Sequence, residues 1–457
     1  MFYNKSSIKI VFAAGLVALL AGCSSSGSQQ EYANKKNEVT VPKKWQSTKA
    51  FANGDFTDQL LQLVNHESVT KLVHEALAAN YDLRSTATRL KQSRLLEHQA
   101  EIKSEPSLTT SYQASRAKQG SITNSQTLSV NMSWELDVWG RLADASDAAS
   151  ATSKASELDY LYARNSLTAR VIQAWLDINY RAQIIAVEEQ WVTSLVHTEE
   201  IILEQVLDGE KEQADLDAAK ASTEKVRATL ISRKQSQAIA IRNLNVLRGQ
   251  SEDEHSEITF EPISVSTPPI AVLGDVIGSR PDLIAAYQRI IAADKNTSVA
   301  YKELLPKFTL TASASRTGKT MNQLLDSSSA WNLIGGITAP IFNRDTLKNS
   351  AKISELDAKL AYLNYQKRLL NALTEVENAF DKEVSLKSQE YHLSKAYQHS
   401  FASMRNYQHL YQDGASGVLT LLVAKQSTFQ TKIQLLETEQ ARFSNRITLG
   451  LALGMGV

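Results

Sequence analysis

Apolar and polar positions along this chain follow two different periods, and the period switches at fixed points. From Val64 to about Glu101, Val69, Leu72, Val73, Ala76 and Leu77 recur every three or four positions, which predicts a helix with one buried face. Pro106 breaks that pattern. Beyond it Leu108, Thr110, Tyr112 and Ala114 alternate with Ser107, Thr109, Ser111 and Gln113. Then Leu128, Val130, Met132 and Trp134 alternate with Thr127, Ser129, Asn131 and Ser133. A period of two predicts a pair of half-exposed strands over about 107–134, joined by a loop from Gly120 to Ser125. After Gly140 and Arg141 no proline or glycine occurs until Gly209. Within that stretch Ile172, Trp175, Ile178, Ala182, Ile185, Val192, Val196, Leu203 and Val206 recur at close to the ~3.5-residue spacing of a coiled-coil seam. The pattern predicts a helix that turns at Gly209 and returns, a long hairpin over 142–248.

The same succession then repeats. Glu105 to Arg116 lies over Leu305 to Arg316 without a gap, a shift of 200, and Asn80-Tyr81-Asp82-Leu83 falls on Arg280-Pro281-Asp282-Leu283 at that shift. Further on, Leu207-Asp208-Gly209 matches Gln412-Asp413-Gly414, with Lys220 on Lys425, at a shift of 205. Phe308, Leu310, Ala312 and Ala314, then Trp331, Leu333, Ile337, Ala339 and Ile341, predict a second strand pair over about 307–342. A second long hairpin is predicted over 347–453, with Leu356, Leu360, Leu363, Leu370 and Leu373 on its outgoing helix. Between the copies, Ser251 to Ile270 carries Pro262, Pro268 and Pro269 and reads as an extended linker, while Pro281 suits the first turn of a helix. An internal duplication of this length sets the architecture: two structural repeats, residues 56–260 and 261–457.

The N-terminus changes the picture. Lys5 and Lys9 precede an apolar run from Ile10 to Ala21 that is too short to cross a hydrocarbon core of about 30 Å. Residues 1–22 therefore read as a secretory signal peptide. The run ends in Leu20-Ala21-Gly22-Cys23, which resembles the bacterial lipobox, and Cys23 is the single cysteine of the chain. The resemblance implies cleavage before Cys23 and a diacylglycerol and a palmitoyl chain on it. Ser24 follows where aspartate would suggest inner-membrane retention, so it implies the outer membrane. Residues 23–55 become a polar, lipidated tether.

Charge and motifs chiefly exclude. The 457 residues carry 49 Lys and Arg against 49 Asp and Glu, leaving no basic field to recruit nucleic acid. Among the histidines, His66, His74, His392 and His399 show no HExxH or tight metal pairing, and the chain holds no GxSxG, P-loop or GxGxxG. Neither an enzyme nor a metal or cofactor site is predicted.

Trp134-Glu135-Leu136-Asp137-Val138-Trp139-Gly140-Arg141 is the sharpest short signature, and through it the chain resembles the TolC-type bacterial outer-membrane efflux proteins. Arg280-Pro281-Asp282-Leu283, Ala339-Pro340-Ile341-Phe342-Asn343, and Tyr411 through Gln426 look like further family signatures in family order. Asp345 departs from the pattern, which often has glycine there. The resemblance implies an α+β membrane protein, a duplicated helix, β-hairpin and long α-hairpin. Four strands per chain are too few to close a barrel, and eight leave an interior filled by side chains. Twelve from three chains leave room for water, and the resemblance also implies a trimer, its 12-stranded β-barrel continued by an α-helical periplasmic tunnel.

Trp134 and Trp139 fit either core aromatics or a membrane-interface girdle. The resemblance implies hairpin tips, turning at Gly209 and Gly414, that dock a periplasmic adaptor (membrane fusion) protein and close the tube. Asp208, Asp215, Tyr411 and Asp413 are the gate candidates, whereas Thr420 and Val423 stand where aspartates are frequent. The implied function is the exit duct of a tripartite efflux pump driven by an inner-membrane transporter. The alternatives are the duct of a type I protein secretion system and a periplasmic coiled-coil scaffold.

Overall fold

The computed structural model describes residues 31–34, 59–251, 264–268 and 278–457. The signal segment, Cys23 and most of the linker lie outside the described residues. Two compact units form, and each draws chain from both copies.

The first unit comprises residues 89–158 and 284–368, with residues 31–34. Its centre is one antiparallel sheet of β1 (Ser107–Gln119), β2 (Ser121–Leu136), β3 (Lys307–Gly318) and β4 (Ala330–Thr338), in that order. Consequently β2 and β3, one from each copy, pair directly, and β1 and β4 each leave one edge open. The register runs Leu108, Met132, Ala312, Leu333 across all four strands, and the next row is Thr109, Asn131, Ser313, Asn332. Period-two patterning thus becomes one apolar and one polar face. Hydroxyls and amides link the polar rows, as in Ser111 Oγ to Ser129 Oγ at 2.8 Å and Ser313 Oγ donating to Asn332 Oδ1 at 2.9 Å.

Two expectations need correction here. The strands β1 and β2 are joined at Gly120 alone, whose φ of +78° makes the turn, and Ser121 to Ser125 extend the ladder instead of forming a loop. In the second copy β4 stops at Thr338, so Ala339 and Ile341 lie past the strand, beside Pro340, which has no N–H to donate. A short helix α6 (Met321–Asp326) occupies the β3–β4 connection, capped by Thr320 Oγ1 on the Gln323 N–H.

The second unit comprises residues 59–88, 159–251, 264–268, 278–283 and 369–457. The predicted helix from Val64 is in fact two, α1 (Glu67–Ala79) and α2 (Tyr81–Ile102). Asn80 separates them, because its Oδ1 accepts from the Leu83 N–H at 2.9 Å and its backbone is extended, the conformation of a helix N-cap. The long hairpins are α3 (Arg141–Leu207) with α4 (Gln213–Leu247), and α7 (Arg344–Gln412) with α8 (Val418–Ala452), while α5 (Pro281–Lys302) opens the second copy. Both long helices pass from the first unit into the second.

Leu60, Leu63, Val73, Ala76, Leu167, Ile172, Trp175, Ile178 and Leu244 form the main core of this unit. The duplication is visible in its joints. Gly249 and Gly454, 205 positions apart, both have positive φ and close the same C-terminal turn, in which the Gln250 N–H reaches Asn245 O and the Met455 N–H reaches Gly450 O. A Cβ on Gly249 would stand 2.6 Å from Ala79 O, and one on Gly454 would stand 2.6 Å from Ser279 Oγ, residues 200 apart. Asn80 Nδ2 donates to Leu247 O as Arg280 Nη1 donates to Ala452 O.

The predicted seams are revised. Ile172, Trp175, Ile178, Ala182 and Ile185 are buried, but below them the buried stripe is Glu188, Trp191, Leu195, Thr198 and Ile202, with Val192, Val196 and Val206 at its flanks and Leu203 exposed. Counting apolar residues alone skips the two polar members. On α7, Leu356, Leu360, Leu363 and Leu370 are exposed, and the buried positions include Ala358, Tyr362, Tyr365, Leu369, Ala372, Val376 and Phe380.

Candidate functional site

Trp134 to Arg141 is a folding joint. Both Asp137 carboxylate oxygens accept backbone N–H groups of the first turn of α3, Leu142 at 3.1 Å and Ala143 at 2.9 Å, which satisfies donors that a helix start otherwise leaves open. Arg141 pairs with Glu135 at 2.8 Å. Gly140 adopts φ +70°, and its carbonyl accepts from Lys302 Nζ at 3.0 Å. The indole of Trp134 donates to Ser104 O at 2.8 Å, and that of Trp139 to Pro306 O at 2.7 Å. Each tryptophan therefore fixes the turn that enters a strand, Ser104 before β1 and Pro306 before β3. Asp144 then gathers Lys302 at 2.5 Å, Lys295 at 3.0 Å and the Ser298 hydroxyl. Burial pushes the Asp144 carboxyl upward, but the bonds from Lys302, Ser298 and Lys295 outweigh it and hold the group below the ordinary carboxylate range.

The hairpin ends come together in the second unit. Gly209 at φ +76° and Gly414 at φ +71° sit past the ends of α3 and α7, where a left-handed residue lets the following N–H groups reach back. Glu210 N donates to Gln205 O and Ala415 N to Leu410 O, both at 2.8 Å, so the two turns are copies 205 residues apart. Tyr411 is buried among Ile202, Leu216, Val418 and Leu421, and its hydroxyl donates to Gln205 Oε1 at 2.5 Å. Lys211 Nζ stands 5.7 Å above the Tyr411 ring. Burial, and secondarily the charge of Asp215, push the Tyr411 hydroxyl above its ordinary value. Asp208 and Asp413 are exposed in the turns, as are Thr420 and Val423 on the first turns of α8.

Of the gate candidates, Tyr411 and Asp215 are thus neighbours, and Tyr411 is held further by Gln205 and Lys211, which the sequence did not single out. Gln205 is the duplicate of Leu410 and Val206 the duplicate of Tyr411, so the contact is one in which the copies have diverged. Lys425, which the sequence marks as the duplicate of Lys220, is buried. Lys425 Nζ donates to Ser194 O at 2.9 Å and Thr198 Oγ1 at 2.5 Å, tying α8 to α3, and burial pulls its ammonium down to about 8. Asp345 lies in the first turn of α7, where a negative charge suits the helix dipole.

Among the described residues no three His, Cys, Asp or Glu side chains gather to hold a metal ion. No described helix is long and apolar enough to cross a membrane.

With this geometry in place, comparison with known proteins is informative. A family model for the outer membrane efflux protein matches residues 72–250 and 272–455. Toxin and drug export protein A of Aggregatibacter actinomycetemcomitans is 27% identical over 96% of this chain and 97% of its own length. The cation efflux system protein CusC of Escherichia coli K12 is 26% identical over 85% of this chain and 86% of its own. The solved outer-membrane channel OprN superposes with a TM-score of 0.83 at 22% identity, covering 92% of this chain and 97% of that one, a likeness of fold.

Proposed function

This chain belongs to the outer membrane efflux protein family, and we propose that it works as a homotrimeric exit duct of a tripartite pump. The observation that carries the reading is the open sheet. It has an apolar and a polar face, and β1 and β4 each present an unpaired edge that a bilayer cannot tolerate. Three copies joined edge to edge make twelve strands, wide enough for a wet interior. The exposed Leu356, Leu360, Leu363 and Leu370 stripe on α7 supports a neighbouring copy along the helices.

In this reading the polar rows Thr109, Asn131 and Ser313 line the lumen, and Trp134 and Trp139 sit where the strands end, at the membrane interface. Cys23 carries the lipid anchor. The tips at Gly209 and Gly414 meet a periplasmic adaptor, and an inner-membrane transporter supplies the energy. Tyr411, Gln205, Lys211 and Asp215 hold the hairpins together at the closed end. The protein has no reaction to catalyse. Secretion of proteins through the same duct is less supported, although one relative is named for toxin as well as drug export.

The test is expression in cells lacking their own export channel, together with planar-bilayer recording of the purified protein. The reading expects trimers in the outer-membrane fraction, discrete conductance steps, and restored drug tolerance when a matching pump is supplied. Soluble monomers without conductance would sink it.

A further inference from the structure

A cleft of about 390 Å³ opens between α4 and α8, with Glu188 and Trp191 of α3 at its buried floor. The floor is incompletely satisfied. Glu188 is 1% exposed, and its Oε1 accepts from Arg233 Nε at 2.6 Å, but its Oε2 has no hydrogen-bond partner. Trp191 stacks on Phe429, with ring centroids 5.6 Å apart, and its indole N–H is likewise without a partner. One buried acceptor and one buried donor, in residues that line the same space, therefore have no partner among the protein's own groups. The walls carry two acids, Glu188 and Glu437, and two bases, Lys225 and Arg233, so the cleft has no net charge with which to attract an ion. Gln426, Gln430 and Gln434 add amides along one rim.

We propose that this cleft binds a small neutral molecule bearing a carboxamide, whose carbonyl accepts from the Trp191 indole and whose N–H donates to Glu188 Oε2. Burial, the largest influence on Glu188, raises it above the ordinary carboxylate value. The ligand touches α3 and α4 of the first hairpin and α8 of the second at once, so occupancy resists their separation.

The experiment is fluorine NMR of the full chain, labelled with fluorotryptophan in detergent and titrated with propionamide, the Trp191 signal being identified with Trp191→Phe. A saturable shift of that signal at millimolar propionamide is expected, with propionate and propylammonium at least about tenfold weaker. Glu188→Gln, which offers a donor in place of an acceptor, should weaken binding by about tenfold. Should that variant fail to fold, Thr229→Trp fills the cleft from its exposed rim and should abolish the titration. A shift that drifts without saturating overturns the proposal. So does an equal response to all three probes, or a titration that Thr229→Trp leaves unchanged.

Discussion

Lys425 is a buried cation held only by a carbonyl and a hydroxyl, and this gives it a pH signature. Below pH about 8 it is charged in both the folded and unfolded chain, and the full burial penalty weighs on the fold. Between about 8 and the ordinary lysine value the folded chain has released the proton while the unfolded chain keeps it, so stability rises with pH through that window. The rise should reach ~3 kcal/mol per chain. Thermal melts from pH 7 to 10 should show it, and Lys425→Met should flatten the slope and raise the melting temperature at pH 7; a slope unchanged in that variant would exclude Lys425 as its source. At the tips, Asp215→Ala and Tyr411→Phe should each raise single-channel conductance, because one removes the charge beside Tyr411 and the other the bond to Gln205, once per protomer. Thr420→Ala should do less, since Thr420 is exposed. Equal conductance in all three variants and wild type would remove this cluster from the gate. Asp215 and Tyr411 were legible from their motifs. Glu188 and Thr198 were not, because an apolar count passes over polar residues buried through partners on another helix.

At the scale of the element, alternation makes a face-specific prediction. Arginine at Leu108 or Val130 should cost roughly 2–4 kcal/mol if the apolar face meets lipid, whereas arginine at Asn131 or Thr309 should be tolerated and change ion selectivity. Heat-resistance of trimers on gels and bilayer recordings would measure the two, and equal damage on both faces would contradict a barrel. The paired helix ends make another prediction. Alanine at Gly249 or Gly454 faces both a positive φ and a clash 2.6 Å away, so each should lower stability by roughly 1–3 kcal/mol, measurable as a reduced melting temperature. The order of elements was readable from the periods and the shift of 200. The break at Asn80 was hidden because an asparagine cap leaves the apolar spacing on either side intact, although its alignment with Arg280 and Pro281 marked a helix start in the other copy. The tight turn at Gly120 was hidden because Ser121 to Ser125 is polar like a loop yet alternates in the ladder.

For the whole molecule, the leucine stripe on α7 adds to the open sheet edges as a sign that one chain is incomplete. Leu356→Lys together with Leu363→Lys should shift the protein from trimer to monomer in native mass spectrometry without loss of helix content by circular dichroism. A trimer unaffected by both lysines would place the stripe elsewhere. The number of copies could not be derived from the helical pattern, since a stripe on one helix does not say how many neighbours cover it. A last consequence follows from the unequal shifts. The copies stay 200 apart through Arg316 and are 205 apart from the tips onward. Length was therefore gained between those points, in a stretch that includes the β3–β4 connection with α6, where the first copy turns on Gly120 alone. For an engineer this divides the chain into slack and clockwork. A peptide tag spliced between Ser327 and Ser329 interrupts no strand or helix, whereas one residue added between Gly209 and Gly249 rotates everything after it by about 100° and pulls Gly249 away from the Ala79 carbonyl it was cut to fit.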